Sequence, residues 1–215
     1  MPEELIELEI FIKFQLFFVW FYNMISKRRK KVDTKYTILL QETLLDYPDN
    51  ESNAIAVIMP GCIHNCKGCQ SPHLCVPTID DLNAKIIDSE DAYDTFINHT
   101  LPTFLNKANT NKIVLSGGDC LSPRNRSLTG KILMSFLTNH IYNKIDVCIY
   151  TGYDINEVKE MHLPKAFKFI KCGKYIKELA RDSKKTDRHL ILASSNQDWY
   201  DENYQKLSNQ GILTF

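Results

Sequence analysis

The sequence predicts an α/β fold built on a mostly parallel sheet. Three apolar runs, at residues 54–59, 113–115 and 145–150, predict strands that are buried on both faces. Segments with helical spacing of apolar residues separate these runs, and a glycine-containing or polar loop follows each one. Right-handed crossovers would gather those loops at one edge of the sheet, which is where α/β proteins bind ligands.

Local patterns predict the elements in the first part of the chain. Residues 36–45 are rich in Ile, Leu and Thr and stop at the turn-forming residues 46–50, so they predict a strand. Apolar residues at helical spacing predict a helix at 93–108, which Pro102 is expected to kink or restart. The same spacing predicts a helix at 128–137.

The last third of the chain continues the alternation. The predicted elements are a short helix at 158–163, a strand at 167–170, a helical turn at 175–180 and a final strand at 190–192. The charged run 181–188 predicts a solvated loop.

Composition narrows the class of protein. The chain has 215 residues, of which 44% are hydrophobic, and this is enough for one sizeable domain with a buried core. Its 26 basic residues balance its 26 acidic ones, so no overall field would attract nucleic acid, and no nucleic-acid partner is expected. The seven cysteines, with no secretory signal, predict a cytoplasmic protein that uses thiols for metal ligation.

An N-terminal apolar and basic extension, residues 1–34, differs from the rest of the chain. Charged residues interrupt its apolar stretch, which leaves no run of the about 20 apolar residues that span a bilayer. The basic run 27–31 follows that stretch. The pattern predicts either contact with an anionic membrane through residues 5–31 or a docking helix, and a third interpretation places the true start at Met24.

The strongest motif lies in the loop after residues 54–59, here called the cysteine loop (residues 61–75). Cys62, Cys66 and Cys69 form a C-x3-C-x2-C array. Thiolate sulfur is a soft ligand for iron-sulfur clusters and zinc, and short spacings let one loop wrap around a single inorganic centre. Three thiolates on a 4Fe-4S cluster leave one iron open to an outside ligand.

A zinc knuckle is the alternative interpretation of this loop. Cys75, His64 or His73 would then close a four-ligand site, and the chain would be a zinc-stabilised binding module. Otherwise Cys75 is a small buried residue, and His64 is either exposed or a hydrogen-bond donor to a cluster sulfur. Cys148 lies inside a predicted strand and is expected in the core.

A second motif, Gly117-Gly118-Asp119, follows the predicted strand 113–115. Paired glycines let the backbone approach a ligand closely, and a carboxylate can accept hydrogen bonds from a cationic amine. Because this motif and the cysteine loop follow parallel strands, they are expected at the same edge of the sheet.

Five motifs in order resemble those of the anaerobic (class III) ribonucleotide reductase activating proteins. They are the cysteine loop and residues 115–125, 149–153, 173–179 and 194–197. The resemblance implies membership of the radical S-adenosylmethionine superfamily, and a partial (β/α) barrel of the radical SAM type across residues 35–215. Departures from the family pattern include Cys120, where proline is usual, and Lys171-Cys172, where many members have Val-Asp.

The resemblance also implies two sets of site residues. The metal ligands would hold one 4Fe-4S cluster and are Cys62, Cys66 and Cys69. The cofactor-binding residues would contact S-adenosylmethionine and are Gly68, Cys69, Gln70, Gly117, Gly118 and Asp119. No separate catalytic acid or base is required by this chemistry.

The activity that the resemblance implies is that of a glycyl-radical enzyme activating enzyme, an oxidoreductase. The reduced cluster would cleave S-adenosylmethionine, and the 5'-deoxyadenosyl radical would abstract hydrogen from a glycine of the anaerobic ribonucleotide reductase large subunit. An electron donor such as flavodoxin would supply the electron. The alternatives within this class are an activase of another glycyl-radical enzyme and a small radical enzyme acting on a nucleotide-like metabolite.

Overall fold

The computed structural model of the protein describes residues 35–44, 46–48, 53–180 and 192–207. The predicted N-terminal extension and the predicted charged loop at 181–188 lie outside the described residues.

A single mixed sheet forms the centre of the described domain. Its strands are β1 (Tyr36–Thr43), β2 (Ala54–Met59), β3 (Lys85–Ile87), β4 (Lys112–Gly117), β5 (Asp146–Tyr150), β6 (Phe169–Cys172) and β7 (Asp198–Asp201), in the order β3-β1-β2-β4-β5-β6-β7. Strands β2, β4, β5 and β6 run parallel to one another, whereas β1 and β7 run antiparallel to their neighbours. The prediction of an α/β fold with a mostly parallel sheet is confirmed.

The sheet is open, so the predicted partial barrel is not confirmed. Within the described part of the chain, β3 and β7 are the two edges of the sheet. After β6 the chain returns as antiparallel β7 instead of adding another parallel strand through a helical crossover. Barrel closure needs a continuous series of strands with matching tilt and stagger, and antiparallel strands at both flanks end that series here.

The helices lie in the connections between the strands. They are α1 (Glu90–Thr95), a π-helical segment (Phe96–Thr100), α2 (Leu101–Ala108), α3 (Arg126–Thr138) and α4 (Ile155–Glu160). Ser89 caps α1 by accepting from the amide of Ala92. Pro102 lies in the first turn of α2, directly after the π-helical segment, because proline lacks the N–H that a regular helix would need there. The change from π-helical to α-helical geometry therefore lies where a kink or a restart was predicted.

Four elements differ from their predictions. The short helix begins earlier, at Ile155, because Asp154 and Glu157 form a capping box at its start. The predicted strand 167–170 is shifted to β6, and the turn at 175–180 is a 3-10 helix, Lys177–Leu179. Leu192 is not in a strand, and the rest of the predicted strand 190–192 lies outside the described residues.

Strand alternation separates two hydrophobic clusters. Residues such as Val57, Leu115 and Ile149 pack against the helices on one face of the sheet. On the other face, Cys148 and Trp199 belong to a smaller cluster. Among the described residues, no helix is long and apolar enough to cross a membrane.

Candidate metal and cofactor site

The cysteine loop leaves the carboxyl end of β2 and is closed at its base. The amide of Gly61 donates to the carbonyl of Leu74 at 2.8 Å, and the amide of Cys62 donates to the carbonyl of Cys75 at 3.4 Å. The last residues of the loop form a 3-10 turn, Pro72–Cys75. All the cysteines of the loop are therefore held within one compact segment.

Backbone amides point at two of the predicted ligand sulfurs. The amide of Ser71 donates to Sγ of Cys69 at 3.4 Å, and the amide of His64 donates to the Cys62 sulfur. A turn between Cys66 and Cys69, with an amide-to-carbonyl distance of 3.1 Å, brings these two residues together. Amide donors of this kind stabilise thiolate sulfur, so the local structure suits sulfur ligation.

The pKa of the Cys62 thiol is raised to about 11, mainly by burial. The neighbouring Asp119, Cys75 and Cys66 also raise this pKa, and the His64 amide lowers it. Metal binding would have to displace the proton of this thiol. In the part of the chain that the structure describes, no three His, Cys, Asp or Glu side chains lie close enough to hold a single metal ion. The ligand assignment of Cys62, Cys66 and Cys69 stays a prediction.

Cys75 lies beside the predicted ligands, although it is outside the C-x3-C-x2-C array. Its thiol has hydrogen-bond contacts with the thiols of Cys69 and Cys62. The pKa of the Cys75 thiol is raised, mainly by burial and secondly by the neighbouring Cys69 thiol. The four cysteines of the loop are partly exposed free thiols. The C-x3-C-x2-C spacing alone does not predict this proximity, because the 3-10 turn at the end of the loop produces it.

The two glycines of the second motif allow the end of β4 to pack closely on the end of β2 and on the cysteine loop. Gly117 has a φ of +124°, and a Cβ there would lie 2.5 Å from the backbone of Met59. A Cβ on Gly118 would lie 2.2 Å from the carbonyl oxygen of Leu74. Side chains cannot fit at either position, so Gly117 is required where β4 meets the end of β2, and Gly118 is required where the cysteine loop packs on the turn.

Asp119 is buried in a network of protein donors. It is 1% exposed, and its Oδ1 accepts from the amide of Leu121 at 2.8 Å. Its Oδ2 accepts from the amide of Gly152 at 2.9 Å and lies 2.6 Å from Nε2 of His64. The hydroxyl of Thr151 lies 3.0 Å from both oxygens. The carboxylate thus connects the loops after β2, β4 and β5.

Asn125 connects the loops after β2 and β4 through their backbone carbonyls, a role that the sequence did not reveal. It is buried, and its Nδ2 donates to the carbonyls of Pro60 at 3.0 Å and Asp119 at 2.9 Å. It precedes α3 but makes no side-chain cap there. A polar residue at a helix start normally predicts a cap, so only the tertiary contacts identify this positioning role.

A cavity of about 560 Å³ opens beside the cysteine loop. Its lining includes Ile63, His64, Tyr153, Gly173 and Asn196, from the cysteine loop and the loops after β5 and β6 and before β7. Three loops of the sheet edge therefore meet the cysteine loop at one open space.

The remaining predicted cofactor contacts lie apart from that cavity. Gly68 and Gln70 are exposed on the cysteine loop, and Gly68 lies close to the side chains of Tyr175 and Lys177. Gln197 belongs to another of the five motifs and donates through Nε2 to the carbonyl of Gly173 at 2.8 Å. This hydrogen bond holds Gly173, which lines the cavity. The cofactor roles of the predicted residues stay predictions.

Comparison with known proteins agrees with these features. Residues 52–199 match the family described as "4Fe-4S single cluster domain". The chain is also similar to the anaerobic ribonucleoside-triphosphate reductase-activating protein of Enterobacteria phage T4, at 26% identity over 134 residues, which cover 62% of this chain and 78% of the phage protein. No solved structure gives a significant match. The resemblance that the five motifs indicated is confirmed.

Proposed function

The chain belongs to the 4Fe-4S single cluster domain family, and from this premise we propose that it is the activating protein of an anaerobic ribonucleotide reductase. Its relative in phage T4 is named as such an activating protein. The finer proposal is a radical S-adenosylmethionine activase that generates a glycyl radical on the large subunit of the reductase. An electron donor such as flavodoxin and a cytoplasmic location belong to the same proposal.

One observation carries the proposal: the cysteine loop and the Gly117–Asp119 turn are hydrogen-bonded into a single unit. The amide of Asp119 donates to the carbonyl of Gly61 at 3.2 Å, and the amide of Gly118 donates to the carbonyl of Met59 at 3.1 Å. The thiols and the buried carboxylate are therefore neighbours at the carboxyl edge of the parallel strands, where α/β proteins bind ligands.

The residues present fit the proposed groups. Cys62, Cys66 and Cys69 would hold a 4Fe-4S cluster, and the amide donors at the Cys62 and Cys69 sulfurs favour bound thiolates. Such a cluster, with one open iron, supplies an electron for the reductive cleavage of S-adenosylmethionine. Asp119 supplies a negative charge for the amino group of that cofactor, and Gly117 and Gly118 keep the turn free of side chains.

The cavity beside the cysteine loop suits a protein partner. Its lining comes mostly from loops, and it opens at the sheet edge, so an extended glycine-bearing segment could reach the cofactor site. An enzyme for a small metabolite would more often enclose its ligand.

The test uses cluster-loaded protein prepared without oxygen, reduced, and mixed with S-adenosylmethionine and the anaerobic reductase from the same source. We expect 5'-deoxyadenosine and a glycyl radical on the reductase, detected by electron paramagnetic resonance. Cofactor cleavage without that radical would point to another glycyl-radical partner or a small metabolite. Near-stoichiometric zinc without sulfide in the purified protein would overturn the proposal of an enzyme. That result would favour a zinc-stabilised binding module.

A further inference from the structure

The Asp119 carboxylate is fully occupied by donors of the protein itself. A carboxylate offers about four lone-pair sites. The groups that fill them are Nε2 of His64, Oγ1 of Thr151 and the amides of Gly152 and Leu121. A ligand amine therefore finds no free acceptor site on Asp119 unless one of these donors leaves.

His64 is the donor that can leave. The amides of Leu121 and Gly152 belong to the backbone, and Thr151 is a buried residue with a short side chain. The imidazole of His64 instead reaches Asp119 from the cysteine loop, and its side chain is 12% exposed. Rotation about its side-chain bonds would release Oδ2 without moving the backbone.

Contacts around the imidazole define the space that it occupies. The ring lies directly over Gly152, where a Cβ would be 2.3 Å from Cδ2 of His64. It also meets the ring of Tyr153 edge to face, with the centroids 4.7 Å apart. Because His64 lines the cavity described above, its departure would join that cavity to the Asp119 carboxylate.

We propose that His64 is a gate on Asp119: the amino group of a ligand reaches the carboxylate only by displacing the imidazole. The inference rests on the proposed function, which assigns S-adenosylmethionine to this site. The ammonium group of S-adenosylmethionine replaces the imidazole as the donor to Oδ2, so the buried carboxylate of Asp119 keeps its full set of hydrogen bonds. A ligand without an ammonium group cannot replace that donor, and His64 then stays in place.

The experiment measures binding to the cluster-loaded, unreduced protein by isothermal titration calorimetry, with S-adenosylmethionine and 5'-methylthioadenosine as probes. The second probe lacks the amino group. His64→Ala should bind S-adenosylmethionine about tenfold more tightly than the unaltered protein does, because the ligand no longer competes with one charge-assisted hydrogen bond. Binding of 5'-methylthioadenosine should not change.

Two further variants control for position and for folding. His64→Gln keeps an N–H donor, so its affinity should stay close to that of the unaltered protein. His73→Ala removes the exposed histidine of the same loop and should have no effect. If His64→Ala keeps its cluster and melting temperature but binds S-adenosylmethionine equally or more weakly, the proposed gate is wrong. The proposed function is not affected by that result. If the unaltered cluster-loaded protein binds no S-adenosylmethionine, the proposed function itself fails.

Discussion

The seven cysteines fall into two groups with opposite surroundings. Cys62, Cys66, Cys69 and Cys75 are partly exposed in the cysteine loop, whereas Cys120, Cys148 and Cys172 are buried beneath or within the sheet. Backbone amides donate to sulfur in the first group. In the second group the direction is reversed, since the thiol of Cys120 donates to the carbonyls of Leu115 and Tyr150 at 3.6 and 3.5 Å.

This difference shows that the surroundings of a thiol decide its chemistry. Burial raises the pKa of the Cys120, Cys148 and Cys172 thiols well above the usual range, so they stay protonated. They act as small apolar residues of the core. Cys62 and Cys69 instead combine partial exposure with amide donors to sulfur, and these are conditions that favour ligation.

The largest expected effect comes from the three predicted ligands. Cys62→Ala, Cys66→Ala or Cys69→Ala should each remove an iron ligand, so cluster iron and 5'-deoxyadenosine formation should fall to background. Iron and sulfide analysis and the product assay measure both quantities. Cys75→Ala is the matched control within the same loop and should keep its cluster and measurable activity. If Cys75→Ala loses the cluster as completely as Cys66→Ala does, the assignment of three ligands is wrong.

The second prediction tests whether the loop needs the packing that glycine permits. Gly118→Ala places a methyl group 2.2 Å from the Leu74 carbonyl, so the base of the cysteine loop must move. Cluster content after reconstitution should fall several-fold. Gly130→Ala is the matched control, because a Cβ there meets nothing within 4 Å. It lies in α3, where alanine favours the helix by up to about 1 kcal/mol. Full cluster loading of Gly118→Ala would show that the loop tolerates displacement.

The elements that sequence predicted well are those with strong local patterns. The strand at 54–59 has the predicted bounds, because a continuous apolar run between polar segments defines both ends. Strands β3 and β7 were not predicted. Strand β7 carries aspartate at both ends, and β3 is only three residues long. Both depend on pairing with a neighbouring strand, which local sequence does not encode.

The site shows the same division between local and long-range information. Cysteine spacing and paired glycines predicted which loops would meet, since both motifs follow parallel strands. The contact between His64 and Asp119, and the position of Cys75, depend on how the cysteine loop folds back on β4. No periodicity or spacing in the sequence reports the contact between His64 and Asp119, because these residues lie far apart in the chain. The sequence names Cys75 only as a possible closing ligand of a zinc knuckle, and its place beside Cys69 depends on the 3-10 turn.

The smallest expected effect comes from a substitution among the buried cysteines. Cys148 is 0% exposed and packs with Val114, Phe169 and Trp199 on the face of the sheet opposite the helices. Cys148→Ala removes one buried sulfur atom and should lower the free energy of unfolding by about 1 kcal/mol, the usual cost of a small core truncation. Urea denaturation of the cluster-free protein measures this change. Cluster loading should equal that of the unaltered protein, because the thiol lies within β5, away from the cysteine loop. A loss of cluster from Cys148→Ala, without loss of folding, would contradict the division of the cysteines into two groups.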